Sequence, residues 1–224
     1  MSEDISIVIV VKNTASEKRG RGRPRAFDRT EALGRAALTF WEHGYEGASI
    51  ADLTAAMGIT PQSLYAAFGS KAALYGEALA WYQSQIASTS RRILDEEADV
   101  ITALTRFIQY SARAFAESEQ PKGCMISTAL LGCAEENEAV AQQVASMRTA
   151  TIAWIQARVE RGIAAGQMKS DTDAAAIARF VGAVIQGLSV QAHDGATAKE
   201  LEAVAAVAAA VLRNQRENAP PTEQ

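Results

Sequence analysis

Apolar residues along this chain recur at intervals of three and four, the period of a helix with one buried face. Leu33, Ala36, Ala37 and Phe40 make the first such face. Asp28 stands before it as a helix cap, and Glu31 three residues later resembles a capping box. Gly44 occupies the position of a left-handed helix stop. A second helix opens at Ser49, again with a box partner in Asp52, and presents Ile50, Leu53 and Met57 before Gly58 ends it. Thr60 then caps a short third helix, roughly 61–68, with Pro61 at the first helical position, where a missing N–H costs nothing. Gly69 closes it, and Ser70 caps a long fourth helix that runs into the Glu96–Glu97 region.

Four amphipathic segments follow. Val100, Leu104, Phe107, Ile108 and Phe115 mark one; Val140, Val144, Met147, Trp154 and Ile155 mark the next, after the acidic turn AEENE. Ile177, Val181, Val184, Ile185 and Leu188 mark a third, and Leu201, Val204, Ala208, Val211 and Leu212 the last. Gly195 and the loop DGATAKE separate these two. The run from Ala203 to Leu212 reads as a buried helix face. No strand-like alternation appears after residue 12, and there are five prolines, three of them at Pro24, Pro220 and Pro221. The fold class is therefore all-α: a three-helix helix-turn-helix head and a helical body.

Charge changes this picture in one place. The net charge is −4, yet residues 18–25, KRGRGRPR, carry five positive charges and no acid. Residues 1–17 balance to −2, which leaves −7 on the remaining 199 residues. An acidic body with a basic arm touches nucleic acid through one localised surface. The two cysteines, Cys124 and Cys133, are too few for a disulfide framework and favour a reducing compartment. His43 and His193 are far apart, so no metal cluster is expected, and no cofactor. The run ISIVIVV at 5–11 lacks the flanks of a signal peptide and is too short to span a bilayer. It is either a disordered extension or a sign that translation starts downstream. The expected location is cytoplasmic, without a membrane. Nothing in the chain reads as a nucleophile elbow, phosphate loop or dinucleotide fingerprint, so no enzyme is expected.

A helix-turn-helix pattern alone also fits an ordinary helical hairpin. The segment FWEHGYEGASIADLTAAMGITPQSLYAAFGSKAAL, from Phe40 to Leu74, is more specific: it resembles the DNA-binding head of the tetracycline-repressor family. GCMISTALLG and FVGAVIQGLSVQAHDGA resemble sensor bodies of that family more loosely. The resemblance implies a flexible extension over 1–25, a DNA-binding domain over 26–72, a ligand-binding and dimerisation domain over 73–216 and a tail over 217–224. It implies a homodimer joined through the last two long helices, a palindromic double-stranded DNA operator, and a small-molecule effector that releases a repressor; some relatives are activators.

The third helix is then the recognition helix. Gln62 can make paired hydrogen bonds to adenine and Ser63 can bond several bases. Thr60, Tyr65 and Ser49 offer hydroxyls to phosphates, and the resemblance places Lys71 against phosphate. Thr60 and Ser49 are explained equally well as caps, and Leu64 and Tyr65 as packing; Phe68 belongs to the core. No structural need is visible for Gln62, Ser63 or Lys71. RGRPR at 21–25 resembles the core of AT-hook peptides, with Arg21 and Arg23 entering a narrow minor groove and Arg25 and Lys18 meeting phosphates. A solubilising tail is the plainer alternative.

The effector pocket draws its candidates from Trp81, Tyr82, Phe107, Tyr110, Met125, Met147, Trp154 and Gln186, all of which plain core packing would also explain. Trp41 is assigned to head packing. Cys124, in PKGCM, is expected at a helix start beside Lys122, the setting that lowers a thiol pKa. That setting allows a redox or electrophile sensor on the same fold. A small buried residue filling space is the other reading, and a non-specific architectural DNA protein the other function.

Overall fold

Asp28 caps the first helix as its position predicts. Its Oδ1 accepts from the backbone N–H of Thr30 at 2.9 Å and of Glu31 at 3.0 Å, and α1 runs Arg29–Gly47. The expected box is not closed by Glu31, whose carboxylate instead takes Arg35 one turn on, at 2.6 Å. The fold is that of a computed structural model, which describes residues 27–117 and 121–217. Gly44 does break helical geometry in α1, although not in the left-handed helical conformation. It has φ 71° and ψ 173°, and the chain kinks there and completes one more turn.

The next two helices follow their caps. In α2 (Ile50–Met57) the box is complete: Asp52 N–H donates to Ser49 Oγ at 3.1 Å, and Ser49 N–H to Asp52 Oδ2 at 3.0 Å. Gly58 has φ 67° and ψ 32°, a left-handed conformation that costs a residue with a Cβ about 1 kcal/mol or more. The turn it makes sets α3 (Pro61–Phe68) across α2, capped by Thr60. Ser70 Oγ accepts from Ala73 N–H at 3.0 Å and opens α4 (Lys71–Arg91), which ends in a π-type turn over 92–96.

That turn leaves carbonyls without helical partners. Arg158, 5% exposed, supplies the donors: Nε to Leu94 O at 2.8 Å, Nη2 to Glu97 O at 2.8 Å and to Ala98 O at 3.2 Å. An arginine from α6 (Glu138–Ala164) thus caps the end of α4. Asp99 then opens α5 (Val100–Glu117) and binds Arg216 through both carboxylate oxygens, at 2.8 and 2.9 Å. This ties the end of the chain to the α4–α5 corner, beside a single antiparallel bridge between Met168 and Arg216 that the helical pattern did not show.

In the body, α5 packs against α7 (Ala174–His193) and α8 (Ala198–Arg213), and α6 lies along α7. Leu104, Ile108, Val144, Ile155, Val181, Leu188, Leu201 and Leu212 are buried there, as their spacing predicts. The run 203–212 departs from its expected burial. Val207 is 68% and Val211 40% exposed, because α8 is apolar on both sides and only one side meets α5. Arg21, Arg23, Arg25, the run 5–11 and the tail beyond 217 lie outside the described residues.

Asp99 titrates far below its usual range, at about 2, chiefly because Arg216 hydrogen-bonds its ionised form. A depressed carboxyl stabilises above the unfolded-state pKa, and that stability is lost as pH falls through 2. Asp99→Asn should therefore cost about 1–2 kcal/mol at pH 7, allowing for partial exposure of the pair. The deficit, read from urea midpoints, should narrow between pH 4 and pH 2. A deficit that does not change with pH would mean the ion pair contributes nothing.

Candidate DNA-reading surface and effector cavity

The head presents one helix face outward. On α3, Leu64 and Phe68 are buried, which turns Gln62, Tyr65 and Ala66 to the outside. Tyr65 is 49% exposed, a large aromatic ring without cover. Thr60 and Ser49 act as caps and remain exposed beside it. Ser63 does have a structural use: its hydroxyl lies 2.9 Å from Thr60 Oγ1 and its N–H is capped by the same oxygen. Lys71 has one too, since its Nζ sits 4.6 Å from the centre of the Tyr45 ring. Partial burial pulls the ammonium pKa down, and neighbouring Glu46 acts the other way. Of the three residues expected to lack a structural need, Gln62 alone has no side-chain hydrogen bond or ring contact.

An aromatic seam joins head to body. Phe40 meets Tyr75 of α4 edge-on at 4.8 Å, Tyr45 meets Tyr75 at 5.0 Å, and Trp41 meets Tyr82 at 5.0 Å. Below it opens a cavity of about 690 Å³, within the range of ligand sites. Of the candidates, Tyr82, Phe107, Tyr110, Trp154 and Gln186 line it, and so does Cys124. Trp81 and Met147 do not line it. Each stands one residue, and so about 100° of helix, from a lining neighbour (Tyr82 and Arg148) and packs on the core instead. Met125 is likewise core.

Trp41 has a second place that its assignment to the head missed. It lines the cavity, and its indole N–H is buried without an acceptor among the described residues. Two arginines, Arg91 and Arg148, also line the cavity and were missed. The available signal was Arg148 standing among the apolar positions Val144, Met147 and Ile155 of α6.

Cys124 is not at a helix start. Residues 121–134 run as turns and bends, with Gly123 at φ 79° and Leu130 at φ 47°. The Cys124 N–H donates to Ser189 Oγ on α7 at 2.8 Å, and the side chain lies against the Tyr82 hydroxyl, whose pKa burial pushes up. The helix N-terminus expected to activate the thiol is absent, and Lys122 donates to Ala116 O. The physical basis for thiol-based sensing therefore falls away. The same segment reaches the head further on: Glu46 Oε1 accepts from Ala134 N–H at 2.9 Å and from Asn137 Nδ2 at 2.8 Å. Those two bonds, the backbone one first, hold the Glu46 carboxyl below its usual pKa.

Comparison with known proteins agrees with this layout. Residues 33–78 match the family model of bacterial regulatory proteins of the tetR family, and residues 101–208 that of the tetracyclin repressor-like C-terminal domain. The chain is 31% identical over 194 residues to the HTH-type transcriptional repressor ComR of Escherichia coli, covering 86% of this chain and 92% of ComR. It is 30% identical over 200 residues to the repressor BdcR of the same organism, covering 89% of this chain and 96% of BdcR. A cysteine-substituted form of the TetR family regulator CifR, solved with 26-base-pair operator DNA, is 43% identical and superposes with a TM-score of 0.81, covering 84% of this chain and 98% of that one.

The turn that lines the cavity rests on Gly123. A Cβ there would lie 2.7 Å from Ser189 O and 2.9 Å from Ser189 Oγ. Gly123→Ala should destabilise the protein by about 2–4 kcal/mol, from left-handed strain plus overpacking. Chemical unfolding measures it; an unchanged midpoint would mean the turn repacks freely.

Proposed function

The chain belongs to the tetracycline-repressor family of bacterial regulators, and on that premise we propose a dimeric repressor that a small-molecule effector releases from a palindromic operator. A member of this family is a DNA-binding transcriptional regulator and not an enzyme. The observation that carries the reading is the outer face of α3, where Gln62 is free of structural duty and Tyr65 is uncovered. N-terminal residues of a recognition helix meet base edges in the major groove. There Gln62 pairs with adenine, Ser63 bonds a neighbouring base, and Ser49, Thr60, Tyr65 and Lys71 meet phosphates. Arg21 and Arg23 enter the adjacent minor groove, and Arg25 meets phosphate. The site of action is the cytoplasm.

Unburied apolar surface supports the dimer. Val190, Val207 and Val211 are exposed large hydrophobics, all on the last two helices. On α7 the incompletely buried residues Ala176, Phe180, Ala183, Gly187 and Val190 repeat at four and three, the spacing of a helix–helix seam. α7 is also long and apolar enough to cross a membrane, with 28% of its apolar window buried in the chain. A partner's α7 and α8 would cover that face in a four-helix bundle. The two recognition helices then meet half-sites about 34 Å apart.

The head's own Trp41 in the cavity wall supports effector control. A ligand that favours one arrangement of Trp41 and Tyr82 shifts the head by its difference in affinity, typically about 1–3 kcal/mol. The division into a head over 26–72 and a body over 73–216 is the working one, with α4 serving both.

Selection from a random DNA pool should return a palindrome with half-sites one helical turn apart. Against it, Gln62→Ala should lose about 1–3 kcal/mol at one base position and relax the preference there. Lys71→Ala should weaken binding to every sequence and lower the salt slope by about one. A pool that yields no enriched sequence, or variants that bind the operator as well as the parent, would overturn the assignment.

A further inference from the structure

The polar groups around the cavity differ in what they have left to offer a ligand. Ser84, Ser111 and Thr151 give their hydroxyl protons to backbone carbonyls of their own helices, at 2.6, 2.9 and 3.1 Å. Asp95, the acid in the wall, accepts from Trp154 Nε1 and from Arg161 Nη2, both at 3.2 Å. Arg148 differs in being the partly buried charge of the wall. One of its nitrogens, Nη1, donates to Ile126 O at 3.1 Å and to Ala129 O at 2.9 Å. Its Nε and Nη2 have no hydrogen-bond partner, and no carboxylate pairs with it, among the described residues. A guanidinium has five N–H donors in a fixed fork, so the edge that matches a carboxylate is uncommitted. Arg91, exposed at the rim and likewise unpaired among the described residues, adds a second positive charge. Gln83, Ser90, Ser127 and Gln186 add neutral polar groups, and the remaining wall is aromatic, aliphatic or small.

We propose that the effector is a lipophilic organic acid, with its carboxylate on the Nε–Nη2 edge of Arg148 and its apolar body among Phe107, Trp154 and Tyr82. This rests on the reading of the cavity as the effector site. The half-buried cation explains the class: a neutral ligand leaves Arg148 unpaired when it displaces water, whereas a carboxylate replaces that water with two charge-assisted bonds. Arg148 also holds the 126–129 carbonyls, so the acid bonds to the side chain that fixes the start of the segment whose other end holds Glu46.

The test uses matched pairs: decanoate against decanamide, and naphthylacetate against naphthylacetamide. Calorimetric titration with the full chain, at ligand concentrations up to millimolar, gives the ratio of acid to amide affinity within each protein. Taking the ratio cancels any inactive fraction in a variant. The wild type should prefer the acid tenfold or more in both pairs. Arg148→Gln should bring the ratio close to one, and Arg148→Lys, which keeps the charge but not the fork, should fall between. A wild-type ratio near one, no measurable binding by either acid, or a preference that survives in Arg148→Gln overturns the proposal. Operator binding by the unliganded wild type is measured separately; its failure would strike the regulator reading and not the ligand class.

Discussion

The packing of head on body depends on the aromatic seam between α1 and α4. Phe40 and Tyr45 close on Tyr75, and Trp41 closes on Tyr82, with ring centres near 5 Å for three of these contacts. Aromatic pairs at these distances add to the burial of their area and prefer edge-on or offset geometry, so the seam fixes an angle as well as a separation. It determines how the helix-turn-helix is presented to DNA. Two of its rings, Trp41 and Tyr82, are also wall of the cavity. Head and cavity are therefore neighbours through one layer of side chains, not through a linker.

A polar tie runs parallel to the seam. Arg148 holds the carbonyls of Ile126 and Ala129, and the same stretch of chain ends at Ala134 and Asn137, which hold Glu46 near the end of α1. Glu46 in turn lies close enough to Lys71 to affect its titration. The stretch carries turns and a left-handed Leu130 in place of a helix. Its position therefore depends on these side-chain bonds, whereas a helix would hold itself through its own ladder. A segment that owes its place to its ends can be displaced at one end and felt at the other. This is a contiguous physical connection between cavity and head; its strength is set by how differently a ligand treats the two arrangements.

The parts of the fold that local chemistry decides were legible. Caps at Asp28, Ser49, Thr60 and Ser70, the left-handed Gly58 and the apolar period place the helices because each depends on residues within one turn. What failed was decided by competing partners, most of them far apart in the sequence. Glu31 lost its box to Arg35, and PKGCM lost its helix to contacts with Ser189, 65 residues away. Trp81 and Tyr82 are both aromatic and adjacent, and nothing local says which one faces the cavity. Periodicity also cannot tell burial within a chain from burial between chains, so Val207 and Val211 read as core although they are exposed. Arg148 was passed over because an arginine on a helix is usually a solvated one.

In the proposed mechanism, the geometry of α4 would let a small change at the cavity suffice. Tyr82 and Lys71 are eleven residues apart on one helix, about 16 Å at a rise of 1.5 Å per residue. A tilt of about 10° pivoting at Tyr82 would carry Lys71 by about 3 Å. Hydrogen bonds weaken steeply a few tenths of an ångström beyond their optimum, so contacts made by the head do not survive such a displacement in both half-sites at once. A bundle of α7 and α8 would fix the two bodies relative to each other, which leaves the heads as the parts able to move. Under that constraint the ligand has no need to pull the dimer apart or unfold a segment. It needs to favour one packing of Trp41 on Tyr82 over another, and the length of α4 supplies the amplification.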